Sequence, residues 1–425
     1  MVQTKKHIVI IGAGFAGLKL ARTLNNHPSY RITLIDKNNY HQFQPLLYQV
    51  AMANLDASNI SFPLRTIFNK SKNVSIRVET VLNINAEANT VQTNECQYRF
   101  DFLVLATGAA TNYFGNKAIE ENTLPMKSTW EALQIRNSLL KYFEDAVSSQ
   151  TPLAQIPISI VIVGGGPTGV ELSGALAEMK RDSLPLEYPE LDFTKMKIYL
   201  LEGTNRLLIN MSEMASKSAK VYLEEMGVIV KTNTFVKGYE HKKVLLQDDS
   251  YIHSTFVIWV AGVKGSFPPG LDPNLISKSN QLKTNSYNKV LGSDNIFAIG
   301  DISLIESTLF PRGFPQLASV AIDQAKNLAK NFKQLANNKK ILPYQYLNKG
   351  NMATVGRNKA VVDLAYPTIS FQGFFAWVLW MTLHLFLLIG FKNKLIVFIN
   401  WTYHYFTNRQ SLSLLFEQLT RKNKP

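Results

Sequence analysis

Two stretches of the chain share one hydrophobic pattern, a short apolar run that ends in a glycine-rich turn. Ile8-Val-Ile-Ile-Gly-Ala-Gly-Phe-Ala-Gly17 returns as Ile160-Val-Ile-Val-Gly-Gly-Gly-Pro-Thr-Gly169. After the first turn, apolar residues recur at helical spacing from Leu18 to Leu24. Each stretch therefore predicts a buried strand, a tight turn and a helix.

A second pair of apolar strands follows these turns at almost the same distance. Phe102-Leu-Val-Leu-Ala-Thr-Gly-Ala109 is matched by Phe256-Val-Ile-Trp-Val-Ala-Gly-Val263. Gly12 and Gly108 are 96 residues apart, and Gly164 and Gly262 are 98 apart. One Gly-x-Gly-x-x-Gly motif is weak evidence, whereas two with the same downstream strand predict a duplicated Rossmann-like domain in an α/β fold.

The glycine turns fit the pyrophosphate of a dinucleotide. Gly12 allows the tight turn, Gly14 lets backbone amides approach the anion at the helix N-terminus, and Gly17 lets the helix pack on the strand. Asp36 and Glu202 end the following strands, where a carboxylate accepts hydrogen bonds from ribose hydroxyls and disfavours a 2′-phosphate. The pattern predicts NADH rather than NADPH, although Glu202 lies 33 residues beyond the last glycine of its motif, Gly169.

A strand late in the sequence indicates which of the two domains binds which cofactor. Asn295-Ile-Phe-Ala-Ile-Gly-Asp301 is apolar, ends in Gly-Asp and has no counterpart in the second half of the repeat. In flavoproteins with two dinucleotide domains, such a strand returns the chain to the first domain and its aspartate reaches the ribityl chain of FAD. The first domain is therefore predicted to bind FAD, and the inserted second domain to bind NADH.

Three segments resemble type II NADH:quinone oxidoreductases. They are residues 39–51 (NYHQFQPLLYQVA), residues 164–174 (GGGPTGVELSG) and residues 258–263 (IWVAGV). The resemblance extends over about residues 5–410. It implies a respiratory flavoenzyme that passes electrons from NADH through non-covalent FAD to a membrane quinone, menaquinone or ubiquinone, without pumping protons, and whose members are typically monotopic homodimers.

The motifs and the resemblance together assign domains and site residues. The FAD domain is predicted at residues 1–120 and 275–370, the NADH domain at 121–274, and membrane-associated helices at 371–425. The FAD residues are predicted to be Gly12, Ala13, Gly14, Phe15, Ala16, Gly17, Asp36, Lys37, Gln44, Pro45, Val81, Thr107, Gly108, Gly300, Asp301 and Ala318. The NADH residues are predicted to be Gly164, Gly165, Gly166, Thr168, Gly169, Glu171, Glu202, Ala261 and Gly262.

The quinone-site pattern of the family, Ala-Gln-x-Ala-x-Gln-Gln, is altered in this chain. The corresponding stretch is Ala318-Ser-Val-Ala-Ile-Asp-Gln324, so serine and aspartate replace two glutamines. The glutamine role at position 319 is therefore not carried over. Ser319 donating one hydrogen bond and Gln316 substituting for the glutamine both stay open, with Gln324 nearby.

Glu171 is the predicted catalytic residue, and two roles are open for it. A carboxylate in the first turn of a helix stabilises the helix dipole by about 0.3–1 kcal/mol. The resemblance instead places it against the nicotinamide and flavin, where it would position NADH and assist proton movement to the quinone. The helix terminus lowers its pKa and burial raises it, so the balance depends on the fold.

The C-terminal region is apolar, aromatic and basic. Residues 371–391 contain no Asp, Glu, Lys or Arg, and residues 371–425 carry six basic groups against one acidic group. Its length would allow a spanning helix, but polar interruptions and dense aromatics favour helices lying in the membrane surface, with Trp and Tyr at the headgroups. A dimer interface and soluble packing are the other interpretations.

Composition excludes several classes. One cysteine, Cys96, cannot build a disulfide framework, a Cys-rich metal site or a dithiol centre, which removes sulfide:quinone oxidoreductase, and no metal site is predicted. The net charge of +14 suits an anionic membrane surface, and no nucleic-acid motif is present. The polar start of the chain lacks a signal-peptide core, which predicts the cytoplasmic side of the inner membrane. An NADH-dependent reductase of a protein carrier and an NADH-sensing flavoprotein are the rival functions.

Overall fold

The computed structural model describes residues 5–148, 158–308, 310–407 and 413–415. The chain forms two compact units, each assembled from separated segments. The first unit comprises residues 1–42, 61–110 and 263–348, and the second comprises residues 43–60, 111–262 and 349–425. The predicted domain boundaries differ from these segments at several points and remain a prediction.

A five-stranded parallel sheet forms the centre of the first unit. In spatial order its strands are Ile296–Ala298, Phe102–Leu105, Lys6–Ile11, Tyr30–Asp36 and Val74–Val78. Ile8 is paired with Ile32 on one side and with Phe102 on the other, so the apolar strands predicted from the sequence are adjacent. The late strand pairs with Phe102–Leu105, which confirms that the chain returns to this sheet.

Helices and small antiparallel sheets cover the central sheet of the first unit. Its helices are Phe15–Thr23, Leu64–Ile67, Ala318–Ala336 and the 3-10 turns Pro273–Leu275 and Gly300–Ile302. Its antiparallel strands are Val81–Asn85, Thr90–Thr93 and Gln97–Arg99, and Tyr40–Gln42 with Ser61–Pro63. A short parallel pair joins Leu282–Lys283 to Ser303–Leu304. The core consists of buried branched side chains such as Val9, Ile35 and Leu105.

The second unit repeats this architecture. Its parallel sheet has the spatial order Leu124–Pro125, Phe256–Trp259, Ser159–Val163, Lys197–Leu201 and Val228–Lys231. Ile160 is paired with Ile198 and with Phe256, the same arrangement as Ile8 with its two neighbours. The duplicated α/β domain is therefore confirmed. The position held by the late strand in the first sheet is occupied here by Leu124–Pro125.

The remaining elements of the second unit add helices and two antiparallel sheets. The helices are Leu47–Ala51, Ala57–Ile60, Lys117–Asn122, Thr129–Ser148, Pro167–Glu178, Leu184–Glu187, Glu213–Glu225, Phe374–Leu387 and Phe391–Thr407, with 3-10 turns at Gln44–Leu46 and Phe193–Lys195 and a π turn at Met179–Ser183. The antiparallel sheets are Val236–Glu240, Lys243–Leu246 and Tyr251–His253, and Asn351–Gly356, Lys359–Ala365 and Thr368–Gln372.

A glycine fixes the contact between the helix after the second turn, which we call the second motif helix (Pro167–Glu178), and the strand Asn351–Gly356. A Cβ atom on Gly174 would collide with the carbonyl oxygen of Val355. Only glycine permits this approach, which brings the strand's backbone against the buried face of the helix.

The two C-terminal helices, Phe374–Leu387 and Phe391–Thr407, pack one face on the second unit. Ala376 lies with Ala360 and Val362 in a small core, and Asn393 Nδ2 donates to the Ser58 carbonyl at 2.9 Å. Twelve large apolar residues of these helices are exposed. They are Phe374, Phe375, Val378, Leu383, Phe386, Leu387, Phe391, Leu395, Phe398, Ile399, Tyr403 and Phe406. Within the described residues, no helix combines the length and apolarity needed to cross a membrane.

Candidate active site

The first glycine turn has the geometry of a pyrophosphate cradle. Gly12 has φ +99°, and a Cβ there would collide with the Ala106 carbonyl. A Cβ on Gly17 would collide with the carbonyl of Gly12, so both glycines are required by close packing. Gly14 differs, because a Cβ there meets nothing within 4 Å. Open space therefore lies beside Gly14 at the N-terminus of the helix Phe15–Thr23, where an anion is stabilised.

Asp36 lies directly against this turn. Its Oδ2 accepts the Ala13 N–H at 2.7 Å and its Oδ1 accepts the Asn38 N–H at 2.7 Å. Burial raises the pKa of Asp36, and the two backbone N–H groups and Lys37 offset part of this rise. The carboxylate is thus fixed beside the cradle, at the position expected for a ribose partner.

The other strand ends of the first unit also fit a cofactor. Thr107 Oγ1 is buried and has no hydrogen-bond partner among the residues that the structure describes, and a Cβ on Gly108 would meet open space. Gly300 has φ +78°, and a Cβ built there would lie 3.3 Å from the Ala16 Cβ. The Gly300–Asp301 turn therefore lies beside the first motif, as the FAD assignment requires. A bound dinucleotide would occupy the open space beside Gly14 and Gly108 and could satisfy the buried Thr107 hydroxyl.

The remaining predicted FAD residues are spread over both units. Lys37 is exposed after Asp36, Val81 packs on the core of the first unit, and Ala318 begins a long helix. In the second unit, Gln44 and Pro45 form a 3-10 turn in which Gln44 Nε2 donates to the Lys127 carbonyl at 3.1 Å. Their contacts with FAD remain a prediction.

The second glycine turn reproduces the first. Gly164 has φ +116°, and a Cβ on Gly169 would collide with the Gly164 carbonyl, whereas Gly166 faces open space. Glu202 Oε2 accepts the Gly165 N–H at 2.6 Å, which is the counterpart of the Asp36 contact with Ala13. Despite its unusual distance along the chain, Glu202 occupies the predicted ribose position relative to its turn.

Three other predicted NADH residues surround this turn or end the neighbouring strand. Thr168 is exposed in the first turn of the second motif helix. Ala261 and Gly262 follow the strand Phe256–Trp259, and Gly262 has φ +106°. Because all three residues are small, none of them places a bulky side chain at the carboxyl end of the sheet.

Glu171 lies in the second turn of the motif helix, not in the first as expected from the sequence. The helix begins at Pro167, so the helix dipole acts on Glu171 less than predicted. The side chain is 9% exposed, and its Oε1 accepts the Thr354 N–H at 3.4 Å. Burial raises the pKa of Glu171 to about 8, because the N–H groups of Thr354 and Trp380 that face it offset only part of the cost of a buried charge.

A cavity of about 60 Å³, which we call the inner cavity, adjoins Glu171 within the second unit. Tyr48 and Gln49 line it from one side, and Trp380 and Trp401 from the C-terminal helices. Trp401 Nε1 donates to Gln49 Oε1 at 2.7 Å, and Gln49 Nε2 donates to Tyr48 Oη at 2.8 Å. Since the Tyr48 oxygen already accepts a hydrogen bond, its own hydrogen is available to another acceptor.

Trp380 forms the wall of the inner cavity opposite Tyr48. Its side chain is 1% exposed and stacks on His384 with ring centroids 3.9 Å apart. The Trp380 N–H faces the carboxyl group of Glu171. Burial lowers the pKa of His384 to about 4, so the imidazole is neutral. The expectation that tryptophans of this segment face lipid headgroups is therefore wrong for Trp380.

Sequence analysis did not identify Gln49, Trp380 or Trp401 as site residues. Gln49 lies within the residue 39–51 segment used for the family resemblance, which was the signal available for it. The two tryptophans carried no such signal, because their role depends on contacts with residues more than 300 positions earlier.

The three predicted quinone residues lie in the first unit. Gln324 is buried, and its Oε1 accepts the Gly300 N–H at 2.6 Å. Gln316 Nε2 donates to the Asp301 carbonyl at 2.9 Å, and Ser319 is half-buried in the first turn of its helix. Both glutamines thus support the Gly300–Asp301 turn of the predicted FAD site.

Two solved structures share this fold. The NDH2 of Plasmodium falciparum in complex with NADH has a TM-score of 0.88 at 20% identity, covering 97% of this chain and 100% of that one. The sulfide:quinone oxidoreductase of Aquifex aeolicus has a TM-score of 0.73 at 21% identity, covering 94% and 95%. These likenesses establish the fold and do not distinguish the two activities.

Sequence comparison distinguishes them. Residues 6–325 match the family described as pyridine nucleotide-disulphide oxidoreductase, and residues 348–410 match the NDH2 C-terminal domain. The chain is 33% identical over 433 residues to the type II NADH:quinone oxidoreductase Ndh of Mycobacterium tuberculosis, covering 97% of this chain and 91% of that protein. The chain therefore belongs to the type II NADH:quinone oxidoreductase family.

Proposed function

We propose that this protein is a non-proton-pumping NADH:quinone oxidoreductase in which Glu171 supplies a proton to the quinone. The observation that supports the proposal is that one helix connects the second glycine turn to the inner cavity. The second motif helix begins at the glycine turn proposed for NADH and, within two turns, carries Glu171 into the inner cavity. Nucleotide binding and proton transfer are thus positioned by the same rigid element.

FAD and NADH are held by the two glycine turns in this proposal. The turn formed by Gly12, Gly14 and Gly17 would hold the FAD pyrophosphate in the open space beside Gly14. Asp36 would bind its ribose, and Thr107 and Asp301 would supply further contacts. Gly164 to Gly169 receive the NADH pyrophosphate, with Glu202 on its ribose. When bound, FAD supplies the redox chemistry, since it accepts a hydride and returns two electrons.

The quinone head group is proposed to contact the inner cavity. Tyr48 offers an O–H whose oxygen already accepts a hydrogen bond from Gln49, and Trp380 offers its indole N–H. Both can donate to a quinone carbonyl, whose oxygen gains negative charge during reduction. Glu171, protonated below about pH 8, is the acid beside them. Menaquinone and ubiquinone share the carbonyl groups that this arrangement recognises.

Rapid mixing of the purified flavoprotein with NADH and then with a short-chain quinone tests the activity. We expect the flavin absorbance to bleach with NADH and to recover with quinone at a rate that supports turnover. Bleaching without recovery by quinone would contradict the proposal. It would favour the reductase of a protein carrier or the NADH sensor instead.

Replacing Glu202 by glutamine is expected to weaken NADH binding. The carboxylate hydrogen bonds to the ribose contribute about 1.5–3 kcal/mol each, so KM for NADH should rise about 10- to 100-fold. The ratio of kcat/KM for NADH over NADPH should fall by a similar factor, because the repulsion of the 2′-phosphate is lost. Steady-state kinetics with both nucleotides measure this, with the exposed Glu224→Gln as the control. Unchanged nucleotide preference would remove the ribose assignment.

Ser319, Gln316 and Gln324 stay proposed as quinone contacts from the first unit. The amide groups of both glutamines already hold the Gly300–Asp301 turn. Ser319 is therefore the residue of the three whose substitution by alanine should raise KM for quinone while leaving the flavin content unchanged.

The exposed apolar residues of the C-terminal helices are proposed to insert into one leaflet of the membrane, from the cytoplasmic side. Phe375, Phe386, Phe391 and Phe406 are each more than 70% exposed, which is unusual for phenylalanine in water. Lys392 lies among them and can contact anionic headgroups. A homodimer is also proposed, on the resemblance alone.

The double variant Phe386→Glu with Phe391→Glu is expected to bind vesicles at least about 100-fold more weakly. Each phenylalanine contributes about 1.5–3 kcal/mol when fully buried in an apolar phase. Both side chains are exposed in the free protein, so the fold should be unaffected. Co-sedimentation with vesicles containing anionic lipid measures binding, with exposed Leu186→Glu as the control. Equal vesicle binding of the double variant would place the membrane contact elsewhere.

A further inference from the structure

The second motif helix carries a second, partly buried carboxyl group that the proposed reaction does not use. Glu178 lies seven residues after Glu171, which is two helical turns and about 10 Å along the same face. Both side chains line the inner cavity, with Glu171 and Glu178 as its two carboxyl groups. A carboxyl group at each end of one cavity is a different arrangement from a single catalytic acid.

Glu178 also lines a second cavity of about 300 Å³, which we call the outer cavity. Arg181, Asp182 and Lys359 line it as well, and the Arg181 side chain is 55% exposed, so this cavity has an aqueous rim. Glu178 and Arg357 are the residues that line both cavities. The Glu178 side chain therefore borders both the solvent-rimmed outer cavity and the inner cavity.

The groups around Glu178 suit a carboxyl group that gains and loses a proton. Its Oε1 accepts the Arg357 N–H at 2.6 Å, which fixes the side chain. Burial and, more weakly, Asp182 raise the pKa of Glu178, while the Arg357 N–H, His404 and Arg181 oppose that rise. Lys359 faces the outer cavity, and Tyr48 faces the inner one.

The inner cavity has room for the water that a 10 Å proton transfer needs. A water requires about 10–15 Å³ of such volume, so 60 Å³ accommodates about four. Asn54 lines the same cavity, and its buried Oδ1 has no hydrogen-bond partner among the described residues. A buried acceptor of this kind is normally satisfied by an internal water.

We propose that Glu178, with His404 beside it, is a proton relay that conducts the proton consumed in each turnover from the outer cavity to Glu171. The inference rests on the proposed role of Glu171. The overall reaction is NADH + H⁺ + quinone → NAD⁺ + quinol, so one proton per turnover must enter from water. In the relay a proton moves from water to Glu178, through cavity water to Glu171 and on to the quinone oxygen, while no electrons move.

The test is Glu178→Gln in the flavin-loaded enzyme, measured with two electron acceptors. Glutamine keeps an acceptor for the Arg357 N–H but cannot release a proton. We expect turnover with a short-chain quinone to fall at least 10-fold and to show a larger solvent deuterium isotope effect. Turnover with ferricyanide, which accepts electrons without protons, and flavin reduction by NADH should change less than twofold. Added formate, small enough for the outer cavity, should restore part of the quinone rate.

Two further variants separate a relay from a structural role. Glu144→Gln, whose carboxylate bonds Tyr188 Oη at 3.0 Å and lines neither cavity, should behave as wild type. His404→Gln should show the same acceptor dependence as Glu178→Gln and provides the test if the latter does not fold. Equal losses with both acceptors, or no loss with quinone, would overturn the relay. If wild type reduces quinone and only Glu171→Gln impairs it, the relay fails while the proposed function stands.

Discussion

Gly14→Asp is expected to give a folded protein that binds no flavin. Gly14 precedes the first motif helix with φ −67°, which any residue adopts, and its Cβ position is open. Aspartate is also among the best residues at a helix N-cap, so the fold should lose no stability. Its carboxylate would, however, occupy the space assigned to the pyrophosphate. At about 4 Å and an effective dielectric constant of 20 the repulsion is about 4 kcal/mol, or roughly 10³-fold in affinity.

Gly166→Asp is the matched substitution in the second unit, and its expected phenotype is different. Gly166 has φ −72° and the same open surroundings. This variant should purify with flavin bound, but NADH should fail to bleach it at concentrations that saturate wild type. Flavin absorbance and stopped-flow bleaching measure the two outcomes. Gly14→Ala and Gly166→Ala, which lack the charge, serve as controls.

The two aspartate variants together test which glycine turn binds FAD and which binds NADH. If the Gly166→Asp protein lacked flavin and the Gly14→Asp protein retained it, the FAD and NADH assignments of the two turns would have to be exchanged. Thermal unfolding without cofactor should show both variants at least as stable as wild type. A marked loss of stability would mean that the cradle is not open, and the structural argument for an anion there would fail.

Local rules made the nucleotide turns predictable from the sequence. Gly12 and Gly164 have φ near +100°, and Gly17 and Gly169 leave no room for a Cβ, so these four positions require glycine for reasons contained in the motif itself. The two parallel sheets were predictable from the apolar strands that precede and follow each glycine turn. The position of Glu202 beside its glycine turn was also predictable, because a carboxylate at a strand end depends on the strand and not on the length of the chain before it.

The segment between the second motif helix and Glu202 was only partly predictable from local sequence patterns. Residues 180–197 contain two prolines and mixed charge, a pattern that predicts an extended helix followed by a surface insertion. The helix does continue, through the π turn Met179–Ser183 and the short helix Leu184–Glu187. Tyr188 and Phe193 are buried, however, and both pack on Phe143. The mixed charge and prolines of this segment indicate an exposed position, which is wrong for these two aromatic side chains.

The inner cavity was not predictable because its walls are brought together by long-range packing. Gln49 and Trp401 are 352 positions apart and share one hydrogen bond. Thr354 reaches Glu171 only because Gly174 lets a strand approach the helix. Residue type and spacing could identify Glu171 as a candidate, but its burial, and hence its pKa, depends on these neighbours.

Glu171→Gln is expected to lower quinone turnover by about 10²- to 10³-fold, within the range attributed to general acid catalysis. Glutamine preserves size and hydrogen bonding but carries no transferable proton. Since the pKa of Glu171 is about 8, wild-type turnover with quinone should decline as pH rises above 8, and the variant should lack that limb. Steady-state rates from pH 6 to 9.5 measure this. Ferricyanide reduction should change little in either protein.

The same substitution should stabilise the fold at alkaline pH. An unfolded glutamate titrates near 4.3, whereas the folded one holds its proton to about pH 8. Between these values the folded state binds more protons, so the free energy of unfolding falls by up to about 1.4 kcal/mol per pH unit. Glutamine removes this penalty, and Glu171→Gln should therefore unfold at a higher temperature than wild type at pH 8, with the difference vanishing near pH 4. A variant that is less stable at both pH values would show that Glu171 is ionised in the fold, and a carboxylate already without its proton could not be the acid that donates a proton to the quinone.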